Sequence, residues 1–348
     1  MNRIPAVKLG AQARQSVFHI GEPSEIAAAR RAACTLAKSL GFDETVTAEI
    51  AIVVTEAATN IAKYAGVGEI LLRKAFRHDG AVGVEILALD SGPGIPHLSS
   101  RMADGSSTGG SYGIGLGAME RLADQFDIYT VAGQGTVICL SFWGKPDAGF
   151  ASCFDIGLIC LPLAGETISG DAWGIGCDGE KLTVLLADGL GHGPLAATAS
   201  EAACMTLVNR PAMSAAEVLG HAHIDLQRSR GAAVGIACLH GDPRRTTFAG
   251  VGNIAGCVLQ DGKSHQLVSH NGIVGSNLRK VQEFDSPWSP DSLLIMHSDG
   301  IRSRWDISEY PGLASLYPAL VAAVLYRDFS RPNDDTTVLV VREHKVQQ

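Results

Sequence analysis

The chain has 348 residues, more than a single hydrophobic core usually serves, so two domains are expected. Its 46% hydrophobic content supports packed cores, and a net charge of −8 without a block of Lys or Arg excludes nucleic acid as a partner. The eight cysteines form no CxxC pair, and no secretory core or long apolar span occurs. A soluble cytoplasmic enzyme with reduced thiols and no membrane contact is therefore expected.

Residues 15–20, QSVFHI, read as a first strand. Ile26, Ala29, Ala33, Leu36 and Leu40 share one face of a helix that Gly41 ends. The clearest helix follows over 43–66. Asp43 is its N-cap, Glu44 suits its first turn and Gly66 stops it. Its buried stripe is Val46, Ile50, Val53, Ala57, Ile61 and Tyr64. Glu56 and Asn60 lie four apart on it and project from one face; spacing alone describes a solvated polar pair. EILLRKAF and VGVEILALD alternate as strands, the second ending in Asp90 of DSGPGI. A Gly-rich loop then enters a helix carrying Ala118, Leu122 and Phe126, and GQGTVICLSFW closes the segment as a strand. The GxGxG of Gly113, Gly115 and Gly117 does not directly follow a strand, which argues against a dinucleotide fingerprint.

Four pieces thus stand in order: ExxxN on a helix, DxGxG after a strand, GxGxG before a helix, and GxGT. Over residues 20–143 this order resembles the ATP-binding fold of histidine kinases and GHKL ATPases, and most of all its small serine-kinase branch, RsbT and RsbW/SpoIIAB. The stretch DGSSTGGSYGIGLGAMERLADQFDI is especially RsbT-like. The resemblance implies a GHKL (Bergerat) α/β sandwich with helices on one face of a mixed sheet. It implies that Asn60 holds Mg²⁺ against the phosphates of ATP and that Glu56 accepts the proton of the attacking serine hydroxyl. Asp90 would take the adenine amino group, supported by Gly92, Gly94 and Thr136. Gly109, Gly110, Gly113, Ile114, Gly115, Leu116 and Gly117 would cover the phosphates, where backbone N–H groups favour anions. Arg30, 26 residues before Glu56, would contact a phosphate. Phosphoryl transfer asks mainly for positioning and charge neutralisation, and a carboxylate beside a hydroxyl can act as base.

GKPDAG at 144–149 breaks the pattern and divides a domain over 1–143 from one over 150–348. Beyond it, FDIGLICLPLAG is strand-rich, and SGDAWGIGCDGEKLTVLLADGLGHG reads as a hairpin carrying Asp171 and Asp188. Helices are expected over 194–209, 214–229 and 312–326, with strands in GAAVGIACLH, TTFAGVGNIAGCVLQ, KSHQLVSHN, SLLIMHS and TTVLVVR. Asp171, Asp188, Asp299 and Asp334 each stand at the edge of an apolar run. Carboxylates brought together repel unless a cation neutralises them, and oxygen ligands suit Mg²⁺ or Mn²⁺. His192 reads as a turn residue, and Asp335 as a support for Asp334.

The order GD, DGxGHG, SDG and DDxT resembles the metal-dependent PPM-type serine/threonine phosphatases, closest to the SpoIIE/RsbX branch, across 153–342. GAAVGIACLH and GVGNI look RsbX-like. This resemblance implies an α-β-β-α sandwich in which Asp188 bridges two metals and the Gly189 carbonyl binds one. Asp299 and Asp334 would hold the other metal, with Asp171 close by, directly or through water. Metal-activated water needs no protein nucleophile.

The expectation is an α+β chain joining an RsbT-type serine/threonine kinase to an RsbX-type phosphatase. Its partners would be a STAS-domain antagonist or stressosome-type proteins of a bacterial partner-switching pathway. A downstream phosphatase or sigma-factor regulator would be a further partner. Two other classes stand beside it: a phosphatase governed by a nucleotide-sensing GHKL domain without kinase activity, and an anti-sigma scaffold.

Overall fold

The computed structural model describes residues 15–96, 98, 112–146, 152–178, 181–241, 243–278 and 280–344. One unit comprises Gln15–Arg77 with Ala81–Pro146, and the other takes in the chain from Asp147.

The first unit rests on a sheet of β1 (Ser16–Ile20), β2 (Gly68–Phe76), β3 (Ala81–Asp90), β4 (Gln125–Val131) and β5 (Gly135–Pro146). Their order is β1-β2-β3-β5-β4, and every pairing is antiparallel, not the mixed sheet that the resemblance implies. Short connections at 77–80 and 132–134 permit only antiparallel pairing for β2–β3 and β4–β5. Strand β5 continues to Pro146, three residues into the segment read as linker.

Helices α1 (Pro23–Ser39), α2 (Glu44–Asn60) and α3 (Tyr112–Leu122) supply the second layer. Ala29, Ala33 and Ala37 bury a small-residue face of α1 that lets its backbone come close to α2. Asp43 caps α2 by accepting the Val46 N–H at 2.9 Å, as its sequence position predicts. The stretch Glu44–Ala65 has the length and hydropathy of a membrane span, but Ile50, Val53, Val54, Ala57 and Ala58 are all buried in this unit's core. The helix is not regular to Gly66. Ile61–Ala65 widens into a π turn, closed by the Gly66 N–H on the Ile61 carbonyl at 3.0 Å, with Gly66 at φ +82°.

Helix α3 ends at Leu122, so Phe126 belongs to β4 and not to the helix expected to carry it. The run Gln-Phe-Asp-Ile-Tyr-Thr-Val favours a strand, and the Asp124 carboxylate pins the turn by accepting the Trp143 N–H at 2.6 Å.

The second unit contains two antiparallel five-stranded sheets. Its strands are β6 (Phe154–Leu161), β7 (Asp171–Asp178), β8 (Lys181–Gly189), β9 (Ala232–His240), β10 (Arg245–Val251), β11 (Ala255–Gln260), β12 (Lys263–Leu267), β13 (Phe284–Pro287), β14 (Leu293–His297) and β15 (Thr336–Glu343). The sheet orders are β13-β10-β9-β8-β7 and β12-β11-β14-β15-β6. Helices α4 (Pro194–Asn209) and α5 (Ala215–Asp225) pack on the first sheet and α6 (Pro318–Phe329) on the second, giving the α-β-β-α layering.

The expected helix over 312–326 starts late, because Pro318 takes the first helical position. Before it, Leu313–Ser315 makes one 3₁₀ turn whose carbonyls at Ala314, Ser315 and Leu316 accept from the Arg342 guanidinium. Helix α6 lies so close on β6 that a Cβ on Gly157 would stand 2.1 Å from the Pro318 carbonyl carbon. Gly157→Ala is therefore expected to destabilise this unit by about 3 kcal/mol, the upper end for overpacking, read from urea unfolding followed by tryptophan fluorescence.

Candidate nucleotide pocket and metal centre

In the first unit the end of β3, the start of β5 and α2 converge. Asp90 pairs directly with Thr136 across the sheet, and its Oδ1 accepts the Gly92 N–H at 2.8 Å. Thr136 is buried and its hydroxyl shares a 3.1 Å hydrogen bond with Thr130. Gly94 has φ +71°, and a Cβ there would stand 2.3 Å from the Val131 carbonyl oxygen. Asp90, Gly94 and Thr136 line one pocket with Asn60, Tyr64 and the buried Leu116. Glu56 and Asn60 are both half-buried on α2. Directly over them runs the first part of α3, where a Cβ on Gly115 would lie 2.8 Å from Glu56 Oε2 and 3.6 Å from Asn60 Nδ2. A glycine is needed there because the helix backbone itself covers the pair.

Gly113, Ile114 and Gly117 belong to the same helix; Gly109 and Gly110 lie outside the described residues. Arg30 is exposed on α1, and its side chain makes no hydrogen bond or ion pair with a described residue.

In the second unit, Asp171 and Asp188 face each other as direct partners at the end of the β7–β8 hairpin. Asp299 follows β14, and Asp334 precedes β15. These two ends are tied by the Ser298 N–H on the Thr337 carbonyl at 3.1 Å and the Thr337 N–H on the Ser298 hydroxyl at 3.0 Å. Gly300 permits the crossing, since a Cβ would stand 2.0 Å from the Asp335 carbonyl oxygen. Gly189 likewise lies under α4, 2.1 Å from the Ala196 carbonyl oxygen at its Cβ position. Asp188, Asp299 and Asp334 line a cavity of about 530 Å³, with Asp171 buried beside Asp188.

The electrostatics are those of a cation site. Burial, then the charge of Asp188, raises the Asp171 pKa well above the usual carboxylate range. Burial and then Asp299 raise Asp188 to about 7, and the same two causes raise Asp334. Asp171 Oδ2 is buried without a hydrogen-bond partner among the described residues. Carboxylates crowded in this way, with an orphaned oxygen and no thiol or imidazole in the set, fit a hard divalent ion. Asp335 does different work: its Oδ1 accepts the Leu163 N–H at 2.8 Å, holding the 162–170 loop against the site.

Sequence reasoning missed Asn253. The run TTFAGVGNIAGCVLQ is two strands in different sheets, broken at Gly252 with φ +100°. The break places the Asn253 amide between two carboxylates, donating to Asp188 Oδ2 at 3.2 Å and Asp299 Oδ2 at 2.7 Å. The two glycines of GVGN were its only signal. Asn253→Ala is expected to weaken Mn²⁺ binding about tenfold, the scale of a lost outer-sphere partner, measured by titration calorimetry. His192 lines the cavity, and its Nδ1 lies 2.8 Å from Glu166 Oε1, a partner that no local motif announces.

Residues 21–142 match the family described as histidine kinase-like ATPase domain, and residues 178–344 match that of stage II sporulation protein E, SpoIIE. The serine/threonine-protein kinase RsbT of Bacillus subtilis (strain 168) is 41% identical over 129 residues, 37% of this chain and 96% of RsbT. The phosphoserine phosphatase RsbX of the same organism is 25% identical over 142 residues, 40% of this chain and 71% of RsbX. A solved structure described as "The bacterial stressosome: a modular system that has been adapted to control secondary messenger signaling" is 24% identical, with a TM-score of 0.51. That likeness spans 54% of this chain and 99% of the other and bears on fold alone. With an identity that extends over nearly all of RsbT, the chain belongs to the RsbT family of histidine kinase-like ATPase domains, and it joins to that domain a SpoIIE-type, RsbX-like phosphatase domain.

Proposed function

We propose that this chain adds phosphate to a serine or threonine of a STAS-domain antagonist or stressosome-type protein and removes it again, as a bifunctional regulator of partner switching. The observation that carries this reading is that one chain holds both sets of chemical groups. Glu56 and Asn60 lie beneath Gly115, and Asp171, Asp188, Asp299 and Asp334 meet in the second unit.

In the kinase half, Glu56 is the base for the substrate hydroxyl, and Asn60 holds Mg²⁺ against the phosphates. Asp90 reads the adenine amino group, backed by Gly92, Gly94 and Thr136. The glycines at 109–117 cover the phosphates, and Arg30 contacts one of them. In the phosphatase half, Asp188 with the Gly189 carbonyl, Asp299 and Asp334 hold Mg²⁺ or Mn²⁺, with Asp171 adjoining. Bound divalent ions neutralise this carboxylate set and supply an activated water. Asn253 keeps two of the carboxylates oriented, and Asp335 fixes the loop that carries Glu166. Glu166 in turn orients His192, whose other ring nitrogen is available to protonate the departing serine oxygen. We place the protein in the cytoplasm, in keeping with its eight free cysteines. A downstream phosphatase or sigma-factor regulator is a further partner of the kinase half.

The test uses a STAS-domain protein encoded beside this chain, incubated with ATP, Mg²⁺ and the Asp188→Ala variant. Intact mass should show one added phosphate per molecule. No addition to two such proteins, despite measurable ATP binding, would favour a nucleotide-sensing domain that regulates the phosphatase without transferring phosphate.

A further inference from the structure

The arginines of the second unit sort into two groups. Five have partners: Arg210 with Asp225, Arg244 with Glu343, Arg245 with Asp285, Arg327 with Asp328, and Arg342 with main-chain carbonyls. The other five described arginines, Arg228, Arg230, Arg302, Arg304 and Arg331, are exposed, and their guanidinium groups make no hydrogen bond or ion pair with a described residue.

Four of them, Arg228, Arg230, Arg302 and Arg331, lie in segments that adjoin the acidic cavity. Arg228 and Arg230 precede Gly231, whose carbonyl accepts the Leu190 N–H at 3.1 Å, and a Cβ on Gly231 would stand 2.6 Å from Ile273 Cγ2. Leu190 and Ile273 both line the cavity. Arg230 Nη1 lies 3.0 Å from the Cβ position of Gly191, another lining residue. Elsewhere on the rim, an antiparallel bridge pairs Ile301 with Ser330. The Arg331 N–H donates to the Gly300 carbonyl at 2.7 Å, and the Arg302 N–H to the Phe329 carbonyl at 2.9 Å. Arg302 thus stands three residues past Asp299, and Arg331 three before Asp334.

A guanidinium within reach of those carboxylates would pair with them. These do not, so their charge is left for something that arrives from solution. We infer that the unpaired arginines flanking the cavity form a docking rim for a protein segment carrying acidic residues on either side of its phosphoserine. This rests on the phosphatase reading of the same cavity and adds what that reading leaves open: how an anionic substrate is drawn to a well of carboxylates in a chain of net charge −8. The rim supplies opposite charge next to the well, where ion-pair attraction steers and holds the flanks while the phosphate enters.

The test measures binding of two fluorescent phosphoserine peptides to the full-length Asp188→Ala chain by anisotropy, so that neither is consumed. One peptide carries three acidic residues around the phosphoserine, the other three amides. At low salt the acidic peptide should bind about tenfold tighter, the sum of several exposed ion pairs. That ratio should shrink toward one at about 0.5 M salt and in R302E/R331E. The milder R302Q/R331Q should give an intermediate ratio, which guards against misfolding of the charge-reversed form. Equal binding of the two peptides at low salt, or a ratio that survives charge reversal, overturns the proposal. So does stronger displacement of the acidic peptide by a short oligonucleotide of equal charge than by unlabelled peptide. Wild-type hydrolysis of p-nitrophenyl phosphate with Mn²⁺ reports on the phosphatase reading separately. Peptide discrimination without that turnover would keep the rim and sink the catalysis.

Discussion

Asp188→Asn is expected to abolish phosphatase activity, by a thousandfold or more, and at the same time to make the metal-free protein melt higher. The first effect follows from removing a carboxylate that, on the proposed reading, would hold the divalent ions; a thousandfold loss corresponds to about 4 kcal/mol of transition-state stabilisation. The second follows from the local field. Burial and the neighbouring Asp299 raise Asp188 to about 7, so its ionised form is unfavourable where it stands. A raised folded-state pKa means that the folded chain keeps a proton which the unfolded chain has released between about pH 4 and 7. Stability without metal therefore falls as pH rises through that window. The amide cannot ionise, and each kcal/mol of relieved repulsion lifts the melting temperature of a domain this size by about 2–4 °C. Calorimetric scans in chelator at pH 5.5 and 8 check this: wild type should lose stability at the higher pH and the variant should lose less. Mn²⁺ at about a hundred times its Kd should add about 2.7 kcal/mol to wild type and nothing to the variant. A variant that melts lower than wild type in chelator at pH 8 would remove the electrostatic account of this cluster.

Glu56→Gln should lower phosphoryl transfer by about a hundred- to ten-thousandfold, the range for a lost general base, while ATP affinity stays within about threefold. The separation rests on placement. Asn60 lines the pocket with Asp90, Gly94 and Thr136, whereas Glu56 stands one helical turn before it, under Gly115. Asn60→Ala is the contrasting case: nucleotide affinity and its Mg²⁺ dependence should both fall. Titration with a fluorescent ATP analogue beside a transfer assay separates the two. Were Glu56→Gln to leave transfer intact, the base would have to be another group.

The local chemistry of the chain is legible where one element decides it. The Asp43 cap, the stripe from Ile50 to Ile61, the β7–β8 hairpin and its two aspartates follow from periodicity and end signals within a few residues. What escapes is decided by distant partners. The β4 strand exists because it completes a sheet beside β5, so Phe126 leaves the helix pattern it would locally extend. The π turn after Asn60 is a widening that no side-chain period announces. Asn253 comes to the carboxylates only because a glycine at positive φ sends β10 and β11 into different sheets. Glu166 meets His192 across 26 residues, through a loop that Asp335 holds from the other end of the chain.

On the proposed reading, one chain both writes and erases the same mark. The most direct measurement is a time course of phosphate on a STAS-domain partner with wild-type protein, Mg²⁺, Mn²⁺ and a limited amount of ATP. The partner's phosphorylation should rise while ATP lasts and fall once it is spent. With Asp188→Ala it should rise and stay, and with Glu56→Gln it should not rise. Identical plateaus for wild type and Asp188→Ala would mean that the phosphatase half acts on something other than the product of the kinase half, and the two activities would not share a substrate.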